Sequence, residues 1–151
     1  MGTAATTTDS FTVSVSDGSL TATQAFNVSI IGANDAAVIG GTSTGSVVEA
    51  GGVNNTAAGT PTATGTLTST DVDGTANLFT AVTAGAASVG GYGTYAVTTG
   101  GVWTYTLNNS NAAVESLAQG ATLNDSITVQ AADGTIKNIS FTITGTNDAP
   151  V

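Results

Sequence analysis

Acidic residues in turn sequences are the groups of this chain whose types and spacing could do chemistry. Asp71 and Asp73 are separated by one residue and followed by Gly74. In a turning loop this spacing lets the two carboxylates converge, and glycine permits the bend. Calcium takes about six to eight oxygen ligands, so the pattern favours a calcium site. The alternative is that Asp-Gly forms only a turn, because Asp hydrogen-bonds its own backbone there.

The composition removes most other site chemistry. Cysteine and histidine are both absent, which removes disulfides, thiol catalysis, the usual zinc ligands and the commonest general base. A carboxylate pair such as Glu49 with Glu115 or Asp125 would suggest a glycosidase, but nothing in the sequence fixes their separation or a substrate cleft. We therefore expect no enzymatic activity.

The charge balance restricts the partners. Ten acidic residues against one basic residue give a net charge of −9, which repels nucleic acid and anionic lipid. The sequence has no apolar run of the roughly eighteen residues that a membrane helix requires. Its first residues also lack the pattern of a signal peptide. We expect no nucleic acid partner and no membrane insertion, and an export signal that lies elsewhere in a longer protein.

The elements that must position the acidic residues are strands. Apolar residues, mostly β-branched or aromatic, alternate with polar ones at a period of two, which is typical of half-buried strands. The strongest alternations start at Phe11, Phe26, Trp103, Ile127 and Ile139, and weaker strands are predicted over residues 47–49, 62–68, 78–83 and 93–98. From Gly40 onward this makes about seven strands, as in a β-sandwich. One short helical turn is predicted within residues 111–119, with Val114 and Leu117 facing inward.

The chain also contains an internal repeat. Residues 9–18, DSFTVSVSDG, match residues 125–134, DSITVQAADG, and residues 32–38, GANDAAV, match residues 145–151, GTNDAPV. Residues 1–38 are therefore predicted to be the C-terminal hairpin of a preceding repeat plus its linker, and residues 39–151 a complete repeat ending in the next linker. Because a lone hairpin is unstable in water, this one needs strands from a longer parent protein or from an identical chain.

Several separated motifs carry a family resemblance. They are GTL at 65–67, DVD at 71–73, GTY at 93–95, GVWTYTLN at 101–108, DGT at 133–135 and GTNDAPV at 145–151. Over about residues 46–151 the set resembles the VCBS repeat and the bacterial cadherin-like, Ig-like repeats of large RTX-type surface adhesins. The resemblance implies an all-β, Ig-like or cadherin-like sandwich of about seven strands, preceded here by the partial-repeat hairpin. It further implies a secreted or cell-surface protein of cell adhesion or biofilm, without catalysis.

The resemblance also implies which residues bind calcium, the expected cofactor. Domains of this kind join an Asp-x-Asp loop to an Asp after a late strand and to an Asn-Asp linker from the previous domain. The first site would then consist of Asn34, Asp35, Asp71, Asp73 and Asp133. A second, incomplete site at the opposite pole would contain Glu49, Asn147 and Asp148, and a following repeat would complete it.

Three functions fit these expectations. The leading one is a calcium-stiffened spacer whose partners are neighbouring repeats of the same protein. The second is a self-assembling filament subunit, completed by strand exchange between identical chains. The third is a carbohydrate-binding adhesive domain that stacks a glycan or other cell-surface ligand on Trp103 and Tyr105, with Tyr92 and Tyr95 nearby. Trp103 and Tyr105 share the phase of Leu107, however, which favours a place in the core.

Overall fold

The chain folds as two β-rich units. The computed structural model describes residues 6–74 and 76–148. The first unit is Met1–Asp35 and the second is Ala36–Val151. Ala37 and Val38 thus belong to the second unit, where Ala37 is buried. The outer ends of the two predicted segments, residues 1–5 and 149–151, lie outside the described residues.

The first unit contains one antiparallel hairpin. Strand β1 (Thr6–Ser16) pairs with β2 (Thr21–Ile31). The turn between them is closed by Asp17, whose Oδ1 accepts the backbone N–H groups of Ser19 at 2.8 Å and Leu20 at 2.7 Å. These hydrogen bonds, that of Leu20 first, lower the pKa of Asp17. The Asp-Gly sequence at this turn therefore has a structural role of its own.

The second unit contains the remaining elements. In chain order they are β3 (Val38–Gly41), β4 (Thr44–Val48), a 3₁₀ turn (Val53–Asn55), β5 (Thr62–Thr70), β6 (Val82–Ala87), β7 (Gly93–Val97), β8 (Val102–Leu107), the helix α1 (Ala112–Glu115), β9 (Thr122–Gln130) and β10 (Ile136–Thr144). One sheet has the strand order β4-β10-β9, and the other has the order β3-β5-β8-β7-β6. Strand β4 runs parallel to β10, whereas the other strand pairs are antiparallel.

The two sheets of the second unit pack face to face as a sandwich. Phe141 of β10 lies between the two large aromatic residues of β8: its ring stacks on Tyr105 at 4.2 Å and meets the edge of Trp103 at 5.4 Å. The core includes Ile127 and Ile139 from the same small sheet. The predicted all-β sandwich is confirmed, and Trp103 and Tyr105 are core residues, as their phase indicates.

Some element predictions are confirmed and others are corrected. The helical turn is present as α1, with Asn111 as its N-cap and Val114 buried. The strand predicted over residues 78–83 is wrong in position: Phe79 makes only an isolated bridge to Ala131, and the strand β6 begins at Val82. Edge strand β6 contains Gly and Ala and a register shift, so it lacks the apolar alternation that marks the central strands.

Candidate metal centre

The residues of the second predicted site lie at one end of the sandwich, here called the second pole (residues 49–55, 109–115 and 146–148). Because β4 and β10 are parallel, their carboxyl ends lie side by side at the same end of the sandwich. Glu49 donates its backbone N–H to the carbonyl of Thr144 at 3.1 Å. In return, its Oε1 accepts the backbone N–H of Thr146 at 2.7 Å. The strand pairing therefore brings Glu49 to the segment that contains Asn147 and Asp148.

Close backbone approach holds this arrangement together. Gly52 donates its N–H to the carbonyl of Asn147 at 3.0 Å. A Cβ at the preceding residue, Gly51, would collide with Thr146 Oγ1. Only glycine lets residues 51–52 lie directly against residues 146–147.

A third part of the chain reaches the second pole through α1. The side-chain N–H₂ of Asn55 donates to Glu115 Oε1 at 2.6 Å. Asn55 has a positive φ of 59°, a conformation that Asn tolerates better than most residues. The backbone N–H of Ala50 donates to Asn109 Oδ1 at 3.1 Å. Asn55, Asn109 and Glu115 are thereby tied to the Glu49 loop.

Four buried oxygen atoms of the second pole have no hydrogen-bond partner. They are Glu49 Oε2, Asn55 Oδ1, Thr146 Oγ1 and Asp148 Oδ1. Burying such groups without a partner costs free energy, and native proteins rarely tolerate it. Carboxylate, amide and hydroxyl oxygens are the ligands that calcium takes, so these atoms fit a hard cation.

The electrostatics of the second pole point the same way. Glu49 is fully buried, at 0% exposure. This burial, together with the negative charges of Asp148 and Glu115, raises the pKa of Glu49, and the hydrogen bond from Thr146 opposes the shift. Across residues 6–74 and 76–148, no three Asp, Glu, His or Cys side chains are grouped so as to hold a metal ion. A cation here would therefore use amide, hydroxyl, backbone or water oxygens beside the carboxylates.

The first predicted site divides between the two units. Asn34 and Asp35 belong to the first unit, where the Asn34 side chain donates to the backbone carbonyl of Asp35 at 2.7 Å. Asp71, Asp73 and Asp133 belong to the second unit. There Asp71 follows Thr70, which pairs with Val38. The residue before Val38, Ala37, donates its backbone N–H to the Asp133 carboxylate. Asp71 and Asp133 therefore lie at the same end of the sandwich, here called the first pole.

The Asp71 and Asp133 carboxylates of the first pole already accept several hydrogen bonds. Asp71 Oδ1 accepts the backbone N–H groups of Asp73 at 3.2 Å and Gly74 at 3.0 Å. Asp133 Oδ2 accepts the hydroxyl of Thr135 at 2.5 Å and the N–H of Ala37 at 2.8 Å. The hydrogen bond from the Thr135 side chain is the main reason that the pKa of Asp133 falls to about 2. The turn role of Asp71 and Asp133 is thus realised, and calcium at this pole stays a prediction.

A buried polar network around Asp125 was missed by sequence reasoning. Its Oδ2 accepts the hydroxyls of Ser88 at 2.5 Å and Tyr105 at 2.8 Å, and its Oδ1 accepts the N–H of Gly90 at 2.8 Å. Burial and the hydrogen bond to Asp125 raise the pKa of Tyr105. The available signal was the phase of Asp125, which matches that of Ile127 and predicts an inward-facing carboxylate.

Comparison with known proteins agrees with the fold. The bacterial cadherin-like domain family matches residues 34–145, which begin at the Asn-Asp linker and end just after β10. No curated protein matches the chain. None of the helices in the described part of the chain is long and apolar enough to cross a membrane. With most of its length matched, the chain belongs to the family of bacterial cadherin-like domains.

Proposed function

We propose that this chain is a non-catalytic, extracellular repeat module of a bacterial adhesin or biofilm protein, in which bound calcium stiffens the junctions between repeats. The family supports an adhesin-type module. The observation that carries the calcium part is the set of four buried, unpartnered oxygens around Glu49.

Each residue of the second pole has a definable part in this proposal. Glu49 Oε2 and Asp148 Oδ1 would supply charged ligands, and Asn55 Oδ1 and Thr146 Oγ1 neutral ones. Glu115 orients Asn55 by accepting its N–H₂, so the Asn55 carbonyl is left to face a ligand. Calcium would supply the positive charge that removes the repulsion among Glu49, Glu115 and Asp148.

The consequence for stiffness follows from where the ligands lie in the chain. Thr146 and Asp148 lie two and four residues beyond the end of the last strand, β10, whereas Glu49 directly follows β4. Holding them to one ion fixes the direction in which the chain leaves the sandwich. Without the ion, repulsion and backbone entropy both favour a looser segment after Thr144.

The first pole belongs to the proposal as a separate site. Asp71, Asp73 and Asp133 would supply its carboxylate ligands from the second unit. Asp71 and Asp133 already accept backbone donors, so calcium would have to share their oxygens with these donors. We therefore expect this site to contribute less than the second pole in the chain of 151 residues.

The carbohydrate-binding alternative receives no support from the aromatic residues. Trp103 and Tyr105 are fully buried, and the Trp103 Nε1–H donates to the Thr42 carbonyl at 2.9 Å. Tyr92 and Tyr95 pack against the core while partly exposed. No stacking platform is formed by Trp103 and Tyr105.

The test is a thermal melt in calcium, in magnesium and in chelator at matched ionic strength. We expect calcium at about 100 times its dissociation constant to stabilise the chain by about 3 kcal/mol, and Glu49→Gln to lose most of that gain. Asp73→Asn serves as the comparison variant for the first pole and should keep most of the calcium response. Equal melting midpoints in calcium and chelator would rule out the calcium-stiffened module.

A further inference from the structure

The hairpin β1–β2 has the same register as the hairpin β9–β10. Three pairs on one face of the first hairpin are Asp9 with Val28, Phe11 with Phe26, and Val13 with Gln24. They correspond, at a constant shift along each strand, to Asp125 with Phe141, Ile127 with Ile139, and Val129 with Lys137. The sequence repeat is therefore also a repeat of strand pairing, with the extra residues confined to the turn.

The same face has opposite exposure in the two hairpins. In β9–β10 it forms the core, and Ile127 and Ile139 are 0% exposed. In β1–β2 the equivalent Phe11 is 54% exposed and Phe26 is 46% exposed. Their rings stack on each other at 5.3 Å, yet each keeps about half of its surface available. Such an apolar sheet face is typical of a surface that is covered by a partner.

The aspartate at the edge of this face defines what the partner must offer. In the second hairpin Asp125 is buried because the large sheet supplies hydroxyl donors from Tyr105 and Ser88 and an N–H donor from Gly90. Asp9 occupies the corresponding position beside Val28. Burying Asp9 without donors would be strongly unfavourable. Its partner must therefore present polar donors next to an otherwise apolar surface.

We propose that β1–β2 is the closing hairpin of a separate sandwich. Its docking face, here called the Asp9 face, consists of Asp9, Phe11, Val13, Phe26, Val28 and Ile30. The partner is a cadherin-like module that lacks its own last two strands. This partner contributes a five-stranded sheet with hydroxyl and N–H donors directed to Asp9. It also contributes an edge strand that pairs in parallel with β2, as β4 does with β10.

Charge and burial favour this partner over a second copy of the chain. Two Asp9 faces packed on each other would bury two like-charged carboxylates between largely apolar surfaces, which is unfavourable. The second unit of another copy also lacks a free docking surface for this hairpin, because its own β9 and β10 already cover its large sheet. Their residues Ile127, Ile139 and Phe141 are buried there. An incomplete module would bury the apolar residues of the Asp9 face and would also donate hydrogen bonds to Asp9.

The test uses an extended chain in which a copy of residues 36–121 precedes the full 151-residue protein. That added segment contains β3 to β8 and α1 but no closing hairpin. Amide hydrogen exchange of β1 and β2 is measured in the native and extended chains, with chelator present throughout. We expect exchange of the β1–β2 amides to slow by about tenfold or more in the extended chain. Unchanged exchange would overturn the proposal.

Matched variants separate docking from general effects of the extension. In the extended chain, Phe26→Asp on the Asp9 face should abolish the added protection. Asn27→Asp, which points to the opposite face of the same strand, should leave it intact. Asp9→Ala should reduce the protection while leaving the exchange of the unextended chain unchanged. Equal effects of Phe26→Asp and Asn27→Asp would contradict docking through this face.

Two further controls decide the remaining outcomes. An extension with residues 36–148, which includes its own closing hairpin, shows that an added module folds in this context. If that module folds while the shorter extension remains protease-sensitive, β1–β2 does not close a sandwich and the proposal fails. Protection of β1–β2 that rises with the concentration of the unextended chain would identify a second copy as the partner and would also overturn it. Because chelator is present, the result is independent of the proposed calcium function.

Discussion

The Tyr105 hydroxyl donates to Asp125 Oδ2 at 2.8 Å in the interior of the second unit. This contact joins the centre of the large sheet to β9 of the small one. Both residues are buried, so losing this contact would leave polar groups in the interior without a full set of partners. The hydrogen bond therefore contributes to how the two sheets are aligned.

Tyr105→Phe is expected to destabilise the second unit by about 1 to 3 kcal/mol, because Asp125 loses one of its donors in a buried setting. The measurement is urea denaturation followed by Trp103 fluorescence. Tyr95→Phe is the control, since its hydroxyl is outside the Asp125 network, and it should cost less. Equal stability of wild type and Tyr105→Phe would show that Asp125 does not depend on this donor.

Gly65→Ala is expected to destabilise the second unit by about 1 to 3 kcal/mol, because a methyl group there would overlap the buried Trp103 ring and overpack the core. Gly100→Ala is the matched control: the nearest atom to its Cβ would be 3.9 Å away. The two melting midpoints are compared with that of the wild type. Equal melting midpoints for the two variants would show that the close contact between Gly65 and Trp103 does not restrict the residue at position 65.

Asp133 should make stability fall in acid. Its pKa of about 2 in the folded chain lies below the value of about 4 in the unfolded chain. The stabilisation is therefore fully present above about pH 4 and is lost as the pH falls toward 2. Melting midpoints between pH 5 and 2 should drop less in Asp133→Asn than in the wild type. Parallel pH curves for the two proteins would contradict this assignment.

Ionisation of Glu49 should lower the stability of the folded chain when calcium is removed, whereas ionisation of Asp133 raises it. Its raised pKa means that its charge opposes folding, so this penalty is absent below the unfolded pKa and is complete above the folded one. In chelator at neutral pH, Glu49→Gln should gain about 1 to 3 kcal/mol, because its amide removes the charge and keeps the acceptor for Thr146. The difference from the wild type should shrink as the pH falls to about 4. A destabilised Glu49→Gln in chelator would contradict an unpaired charge.

The sequence predicts the parts of the fold that depend on alternating apolar residues. The run from Trp103 lies in β8, the central strand of the large sheet, and the runs from Ile127 and Ile139 lie in β9 and β10 of the small sheet. Their inward faces form the core, and packing there selects β-branched or aromatic residues. Strands β3 and β6 lie at the two edges of the large sheet, and none of their residues is fully buried. Their Gly- and Ala-containing sequences therefore carry little pattern from which to predict them.

The candidate metal centre is predictable only in part for a similar reason. Glu49 and Asp148 lie just beyond the strands β4 and β10, and the pairing of these strands brings the two residues to the same end of the sandwich. The family resemblance is sufficient to predict this placement. Asn55 reaches the second pole through a left-handed backbone conformation, and Glu115 reaches it through the short helix α1. Such contacts depend on tertiary packing, which no local spacing of residues records.

The parallel pairing of β4 and β10 also determines how the module responds to mechanical load. Tension that reaches β4 from its amino end and β10 from its carboxyl end pulls the two strands in opposite directions along their length. The pairs from Thr44 with Ser140 to Val48 with Thr144 are then strained together and cannot open one after another like a zipper. A load carried along a row of such modules would therefore be resisted until the whole strand pair slides.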